Sequence, residues 1–307
     1  MAKIGVLAAP VTPFKAGDLS VDEKALTRLA ADLLSSDSVD GVVPNAHAGE
    51  GATLSLEERV RCLEIFKSQN KKGKKIISCV DSQDLRVMIK QAQDAEKAGC
   101  DAVMVCPPPI YAWSPEESPE FAIDYHRRLS KEISIPLILF VYPEGNPYSY
   151  PPSTIAAILR EVPNFMAVKL TYKSLVAYQN AYKTIKAINP DIAVLPTSPA
   201  MLFPLACLKM ADGILAGGGN FVAPQLHKIL TLCEAGKYDE ARTIHESLLP
   251  LAAALLAKPY VYLHARYKYV TYLTGAIPND LVRRPQLELS EADKEKLKAV
   301  AKQVGLI

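Results

Sequence analysis

Three things are missing from this chain of 307 residues: a surplus of either charge, a paired-cysteine motif, and a glycine-rich dinucleotide fingerprint. With 35 basic and 33 acidic side chains the net charge is only +2, which removes the electrostatic case for a nucleic-acid or membrane partner. The longest basic run, Lys71-Lys72-Gly73-Lys74-Lys75, precedes a predicted strand and reads as a solvated loop. The six cysteines (Cys62, Cys79, Cys100, Cys106, Cys207 and Cys233) form no Cys-x-x-Cys pair and no grouping with histidine, so no metal is expected. Most lie in apolar segments, as reduced thiols of an intracellular protein do. The first apolar stretch ends at Pro10, too short for a signal peptide or a membrane span. A soluble, cytoplasmic protein is expected. The end of that stretch reads Ala8-Ala9-Pro10-Val11 where a dinucleotide fold would carry Gly-x-Gly-x-x-Gly.

What the chain does have is apolar bulk, 49% of residues, against 22% charged, enough for a sizeable core. Short apolar runs alternate with helical patterns. The predicted strands are Ile4–Ala9, Gly41–Asn45, Ile76–Val80, Ala102–Cys106, Leu137–Tyr142, Phe165–Thr171, Ile192–Pro196 and Gly213–Ala216. Helix starts fall between them. Ser20 precedes Val21-Asp22-Glu23, Ser55 opens a Ser-x-x-Glu capping box, Asp81-Ser82 opens a helix ending at Gly99, and Ser114-Pro115-Glu116-Glu117 starts another. Eight strand-helix units fit a (β/α)8 barrel better than an open doubly wound sheet. After Pro224 the pattern becomes purely helical, with helices near Gln225–Ala235, Tyr238–Leu256, Pro259–Thr274 and Ser290–Val304. The division expected is a barrel carrying the active site over 1–224 and a helical region packed on it over 225–307. No low-complexity linker separates the two.

Lys169 is the residue that does not belong. It sits inside Phe165-Met166-Ala167-Val168-Lys169-Leu170-Thr171, a predicted buried strand, on the face shared with Ala167 and Thr171. An ammonium there must be paired, reach water along its stem, or lose its proton. Lowering its pKa from about 10.4 to about 7 would leave about half the amine unprotonated at neutral pH, ready to attack a carbonyl. Barrels of this type place chemistry at the C-terminal strand ends. Those ends supply Asn45-Ala46-His47-Ala48-Gly49-Glu50-Gly51, whose backbone N–H groups could hold a carboxylate. They also supply Phe140 and Tyr142 on one face of strand five, Thr171, and Gly217-Gly218-Gly219-Asn220, where backbone can approach a ligand. Glu50 fits a structural place at the start of the next helix as well as a place beside substrate.

Pro10-Val11-Thr12-Pro13-Phe14, Gly49-Glu50-Gly51-Ala52-Thr53-Leu54-Ser55-Leu56-Glu57-Glu58, Lys169 and Gly219-Asn220-Phe221-Val222-Ala223-Pro224 together resemble the dihydrodipicolinate synthase/N-acetylneuraminate lyase family, nearly end to end. The resemblance implies a class I aldolase on a (β/α)8 barrel, an imine between Lys169 and pyruvate or another 2-oxo acid, and no metal or organic cofactor. It also implies a homo-oligomer, tetramer or dimer, and an aldehyde as a second small-molecule partner.

The departures bear on substrate. The family's carboxylate loop, Gly-Thr-Thr-Gly-Glu or Gly-Ser-Thr-Gly-Glu, reads Ala46-His47-Ala48-Gly49-Glu50 here, losing both hydroxyls and gaining an imidazole. The expected substrate contacts are Ala48, Gly49, Glu50, Phe140, Thr171, Gly217 and Gly218. The family's proton-relaying tyrosine falls on Phe140, which carries no proton. His47, with an unperturbed pKa near 6.5, and Tyr142, two residues along the strand, are the two replacements. The stretch Pro143-Glu144-Gly145-Asn146-Pro147-Tyr148 holds no arginine for a second carboxylate, and Tyr111 is only a displaced candidate for the synthases' shared tyrosine. These absences argue against lysine-biosynthetic condensation. A lyase of aldolase or dehydratase type is expected, with a non-catalytic 2-oxo-acid binder and an imine-dependent decarboxylase as the alternatives.

Overall fold

The computed structural model describes residues 3–113 and 118–307. Eight parallel strands, β1 (Gly5–Ala8), β2 (Gly41–Val42), β3 (Lys75–Val80), β4 (Ala102–Val105), β5 (Leu137–Val141), β6 (Phe165–Leu170), β7 (Ala193–Leu195) and β8 (Gly213–Ala216), pair in the order β7-β6-β5-β4-β3-β2-β1-β8. Hydrogen bonds from Asp212 N–H to Val194 C=O (3.1 Å) and from Leu215 N–H to Pro196 C=O (3.0 Å) join β7 to β8 and close the ring. The (β/α)8 barrel expected from the alternation of runs is the fold observed. Strands such as Leu137-Ile138-Leu139-Phe140-Val141 are buried throughout because helices cover one face and barrel side chains fill the other.

A repeated device sets the strand register at the bottom of the barrel. The residue just before each even strand reaches to the odd strand preceding it. Asp40 accepts Val6 N–H (2.8 Å), Asp101 accepts Ile76 N–H (2.8 Å), Asp212 accepts Val194 N–H (2.8 Å), and Asn164 donates to Ile135 C=O (3.1 Å). The three aspartate bonds are charge-assisted and each holds one backbone N–H, while the neutral Asn164 amide holds the C=O of Ile135 just ahead of β5. Where β1 meets β8 the opposed residues are Gly5 and Gly213. Gly5 has φ of 78°, and a Cβ there would lie 2.0 Å from Asp40 Oδ2, so only glycine lets that carboxylate in.

The helices are α1 (Glu23–Ser35), α2 (Leu56–Gln69), α3 (Leu85–Lys97), α4 (Pro119–Ser130), α5 (Pro152–Glu161), α6 (Leu175–Ile188), α7 (Pro199–Cys207), α8 (Ala223–Glu234), α9 (Tyr238–Leu255), α10 (Leu263–Leu273) and α11 (Glu291–Gln303). Ser55 makes the reciprocal capping box with Glu58 that the Ser-x-x-Glu spacing predicts. Two other starts need correction. Asp22, not Ser20, caps α1, and Asp84, not Asp81-Ser82, caps α3. Ser20 instead bonds to Asp18, and Asp81 points elsewhere. The start expected at Ser114-Pro115-Glu116-Glu117 lies outside the described residues. The strand at Gly41 is shorter than expected, although Val43 N–H still bonds Ala8 C=O (2.8 Å) and Pro44 C=O still accepts Cys79 N–H (3.1 Å); beyond them the chain curls into two short turns, His47–Gly49 and Gly51–Thr53. The helix expected from Pro259 begins as a single tight turn at Tyr260–Tyr262 before α10. The line drawn at 224 falls inside α8, which follows β8 as the last helix of the alternation. Among the described residues no single helix is long and apolar enough to cross a membrane.

Candidate active site

The loop after β2 is held from both sides. Thr12 Oγ1 donates to Gly49 C=O (2.7 Å), and the buried guanidinium of Arg59 on α2 donates to Gly51 C=O (2.6 Å) and to Cys79 C=O. A Cβ on Gly51 would meet Asn45 C=O at 1.8 Å and one on Gly49 would meet Pro10 C=O at 2.7 Å, so this curl requires both glycines. Gly49 N–H donates to Ala46 C=O (3.0 Å) and Glu50 N–H to His47 C=O (3.0 Å). Two of the three donors expected for a carboxylate are therefore spent inside the loop. The N–H groups of Ala48 and His47 have no acceptor among the described residues.

Glu50 is buried with φ of 53°, in the left-handed region. One oxygen accepts from Lys268 Nζ on α10, and the other accepts Arg283 N–H at 2.9 Å. Arg283 also forks onto Glu58 of α2, with one bond at 2.7 Å. Of the two readings left open for Glu50, these partners favour the structural one, since its side chain pins the mouth loop to the C-terminal helices. Burial lowers the Lys268 ammonium to about 8 against the pull of Glu50.

Lys169 lies on β6 with its Nζ 4.0 Å from the centre of the Phe140 ring on β5, its cross-strand neighbour. The residue is 8% exposed, and no hydrogen bond or carboxylate holds its nitrogen among the described residues. Burial lowers its pKa, opposed only by the nearby thiols of Cys79 and Cys106.

A run of rings surrounds this amine. His47 lies 5.3 Å from Phe140, Phe140 is 4.6 Å from Tyr142, and Tyr142 is 5.7 Å from Tyr148. His47 Nε2 and the Tyr142 hydroxyl are 2.9 Å apart, so the two candidate proton carriers are one hydrogen-bonded pair. The expectation that His47 titrates near 6.5 is corrected. Burial, then the Lys169 charge, lowers it to about 3. Burial raises the Tyr142 hydroxyl far above its ordinary value. With the imidazole neutral and the phenol protonated, the pair shares one hydrogen bond in either tautomer: with the ring proton on Nδ1 the O–H donates to Nε2, and with it on Nε2 the phenol oxygen accepts.

Three residues here were not expected. His264 of α10 stacks on His47, centroids 5.8 Å apart and planes at 14°, bringing the C-terminal region into the site. Burial and the neighbouring His47 and Lys169 hold it near 3. Asp81, at the end of β3, has Oδ2 3.9 Å from His47 Nε2, and burial raises its carboxyl. Cys106, at the end of β4, completes a group with His47 and Asp81 whose donor atoms lie within 4.8 Å of one another. Reading every strand end with equal weight would have found Asp81 and Cys106; no local signal marks His264.

The remaining expected residues lie at the edges. Thr171 Oγ1 donates to Val141 C=O at 2.5 Å, and so serves the β5–β6 seam. At the glycine run an added Cβ would meet protein at close range at Gly217 and Gly219. A Cβ on Gly217 would meet the Tyr267 ring at 2.8 Å, one on Gly219 would meet Ala8 at 2.7 Å, and the open side of Gly218 faces Val222 at 3.4 Å. Asn220 threads this turn to β1 through Ala9 C=O (2.8 Å) and Val11 N–H (3.2 Å). Glu144, in the loop lacking arginine, accepts Lys173 N–H (2.8 Å) and Ser174 N–H (2.5 Å) at the start of α6.

Comparison with known proteins places this geometry among relatives. The model of the dihydrodipicolinate synthetase family matches residues 2–304. A 4-hydroxy-tetrahydrodipicolinate synthase of Geotalea uraniireducens is 30% identical over 303 residues, and one of Persephonella marina is 28% identical over 303; each alignment covers 99% of both chains. Among solved structures, dihydrodipicolinate synthase from Thermotoga maritima superposes with a TM-score of 0.89 at 23% identity, over the whole of both chains. YagE, a prophage protein of E. coli solved in complex with pyruvate, gives 0.89 at 23% identity over 99% of each chain.

Proposed function

This chain belongs to the dihydrodipicolinate synthetase family, and on that premise we propose that it is a Schiff-base-forming lyase acting on pyruvate or another 2-oxo acid through Lys169. The observation that carries the reading is the unpaired amine of Lys169, buried at the centre of the barrel mouth with its pKa lowered. Its free base attacks the ketone, water leaves, and the iminium withdraws electrons from the neighbouring carbon. The substrate carboxylate meets the unclaimed N–H groups of His47 and Ala48, in place of the Ala48-to-Glu50 set.

Tyr142 and His47 then replace the relay lost at Phe140. The phenol passes its proton to Nε2 as it takes one from the substrate's C3, leaving a neutral enamine and an imidazolium. The positive charge of the iminium reappears on His47, so the step relocates a charge and separates none. That matters in a site whose burial penalises new ions. The enamine adds to an aldehyde, or the reverse cleavage releases one. Phe140, His264 and Tyr148 offer rings, and the loop after β5 offers no cation, so the aldehyde is not recognised by a second carboxylate clamp. The chain works without a metal or organic cofactor in this reading.

We further read it as a cytoplasmic homo-oligomer. The six free thiols suit a reducing compartment. Val176 (69% exposed) and Ile110 (54% exposed) suit contact with another copy, which light scattering would measure as a dimer or tetramer. The test of the chemistry is borohydride reduction in the presence of pyruvate. One reduced adduct on Lys169 is expected, and an unchanged mass would overturn the assignment.

A further inference from the structure

We propose that His47, Asp81 and Cys106 form a binding site for one zinc-class divalent cation, which blocks proton transfer when it is occupied. Cation binding concerns the resting protein alone; the blocking effect rests on the proton role given above to His47 and Tyr142.

The three donors come from the ends of three successive strands, β2, β3 and β4, so the barrel itself sets their spacing. All three atoms lie within 4.8 Å of one another, with His47 Nε2 and Asp81 Oδ2 at 3.9 Å. Metal bonds of about 2.0–2.3 Å in a tetrahedron put donors roughly 3.3–3.8 Å apart, so only small side-chain rotations separate this arrangement from a coordination shell. The supports are firm. Gln91 brackets Asp81 by accepting its N–H (2.9 Å) and donating to its C=O (3.2 Å), and Cys106 N–H is tied to Val80 C=O (3.2 Å). The Asp81 carboxylate makes no hydrogen bond among the described residues, and the neighbour of Cys106 Sγ is another thiol, Cys79, at 3.5 Å.

The donor set selects the ion. One imidazole nitrogen, one carboxylate oxygen and one thiolate sulfur suit Zn2+ or Co2+ and disfavour Mg2+ and Ca2+, which demand oxygen. Charge closes as well. A divalent cation with one carboxylate and one thiolate sums to zero, which a dry site beside Lys169 tolerates. The thiol proton leaves to solvent on binding. His47 and Asp81 side chains are 25% and 22% exposed, so the ion arrives from the mouth and keeps a fourth, open position. Nε2 is also the atom hydrogen-bonded to the Tyr142 hydroxyl at 2.9 Å, and in the relay it is the acceptor. A bound ion takes that lone pair, so the relay stops while Lys169 stays free to condense with a keto acid.

The test uses the full-length chain stripped with a chelator and titrated with Co2+ and then Zn2+, without substrate. One equivalent should bind, with a thiolate-to-cobalt charge-transfer band and one proton released. Cys106→Ser and Asp81→Asn, each first checked for a native melting transition, should weaken binding more than about tenfold. Cys79→Ser should keep it. Saturating Zn2+ should then stop hydrogen–deuterium exchange at the pyruvate methyl while borohydride still traps the imine. Absence of the band, or affinity unchanged in both variants, overturns the site. Exchange that continues at saturation overturns the blocking role. Failure of metal-free protein to trap pyruvate would refute the imine reading instead and leave the titration standing.

Discussion

Replacing Tyr142 by phenylalanine removes one oxygen from the site and leaves the ring packing in place. The structure sets what that should cost. The hydroxyl is hydrogen-bonded to His47 Nε2 at 2.9 Å, and burial holds both groups neutral. For stability the loss is one hydrogen bond, about 1 kcal/mol, because Nε2 lies in a partly open mouth and can meet water. For the proton step the loss is the carrier itself, a factor of about 10²–10⁴, or about 2.7–5.5 kcal/mol of barrier. Exchange of the pyruvate methyl protons in D2O, followed by NMR, isolates this step without any knowledge of the aldehyde. Borohydride trapping measures imine formation separately. Tyr142→Phe should therefore trap pyruvate normally and exchange slowly. Wild-type exchange in Tyr142→Phe would refute the relay. Loss of trapping and exchange together would show that Tyr142 acts on condensation instead.

His47→Ala should likewise keep the trapped adduct and lose exchange; normal exchange would move the proton role to Tyr142 with water. Phe140→Tyr in the Tyr142→Phe background puts a phenol on the ring that already lies 4.0 Å from Lys169, and should recover part of the exchange rate; no recovery would show that the ring's edge faces away from C3. Glu50→Gln leaves Lys268 buried without its counter-charge, so a loss of about 3–5 kcal/mol and a melting temperature lower by about 6 °C or more are expected. A native melting temperature with weakened pyruvate binding would return Glu50 to the substrate. Three imidazoles, His47, His126 and His264, are held near 3, 4 and 3, below their unfolded value of 6.5. Between those limits the unfolded chain binds more protons, so stability falls as pH drops, by about 2 kcal/mol at pH 5 for the fully buried His126 alone. Urea midpoints at pH 7, 6 and 5 measure this, and a flat midpoint would show that the folded imidazoles take up protons.

The barrel was legible because its strands are buried on both faces and read as apolar runs between capped helices. Lys169 was legible for the same reason, as a charge interrupting such a run. Boundaries failed where regular pairing thins out: β2 keeps two residues, although single bonds at Val43 and Pro44 continue its course before the chain curls at Gly49 and Gly51. Asp81 was misread because an aspartate ahead of a helix looks like a cap, and Asp84 is the residue that caps. At Gly217 and Gly219 the sequence could not show the close packing of the Tyr267 ring and of Ala8, because those neighbours are distant in the chain. His264 had no local signal at all. Which face of α10 meets the turn after β2 is decided by long-range packing, through Lys268 on Glu50.

The tether from Glu50 to Lys268 and Arg283 also sets an order of events during synthesis. A ribosome that has delivered only the eight strands has made a ring whose mouth loop is unlatched, with Glu50 lacking its cation and His47 lacking its stacked companion. Residues 264–283 must emerge before the loop carrying His47 and Glu50 acquires its finished surroundings. A barrel shortened before that point therefore lacks the contacts that tie its mouth loop to the C-terminal helices.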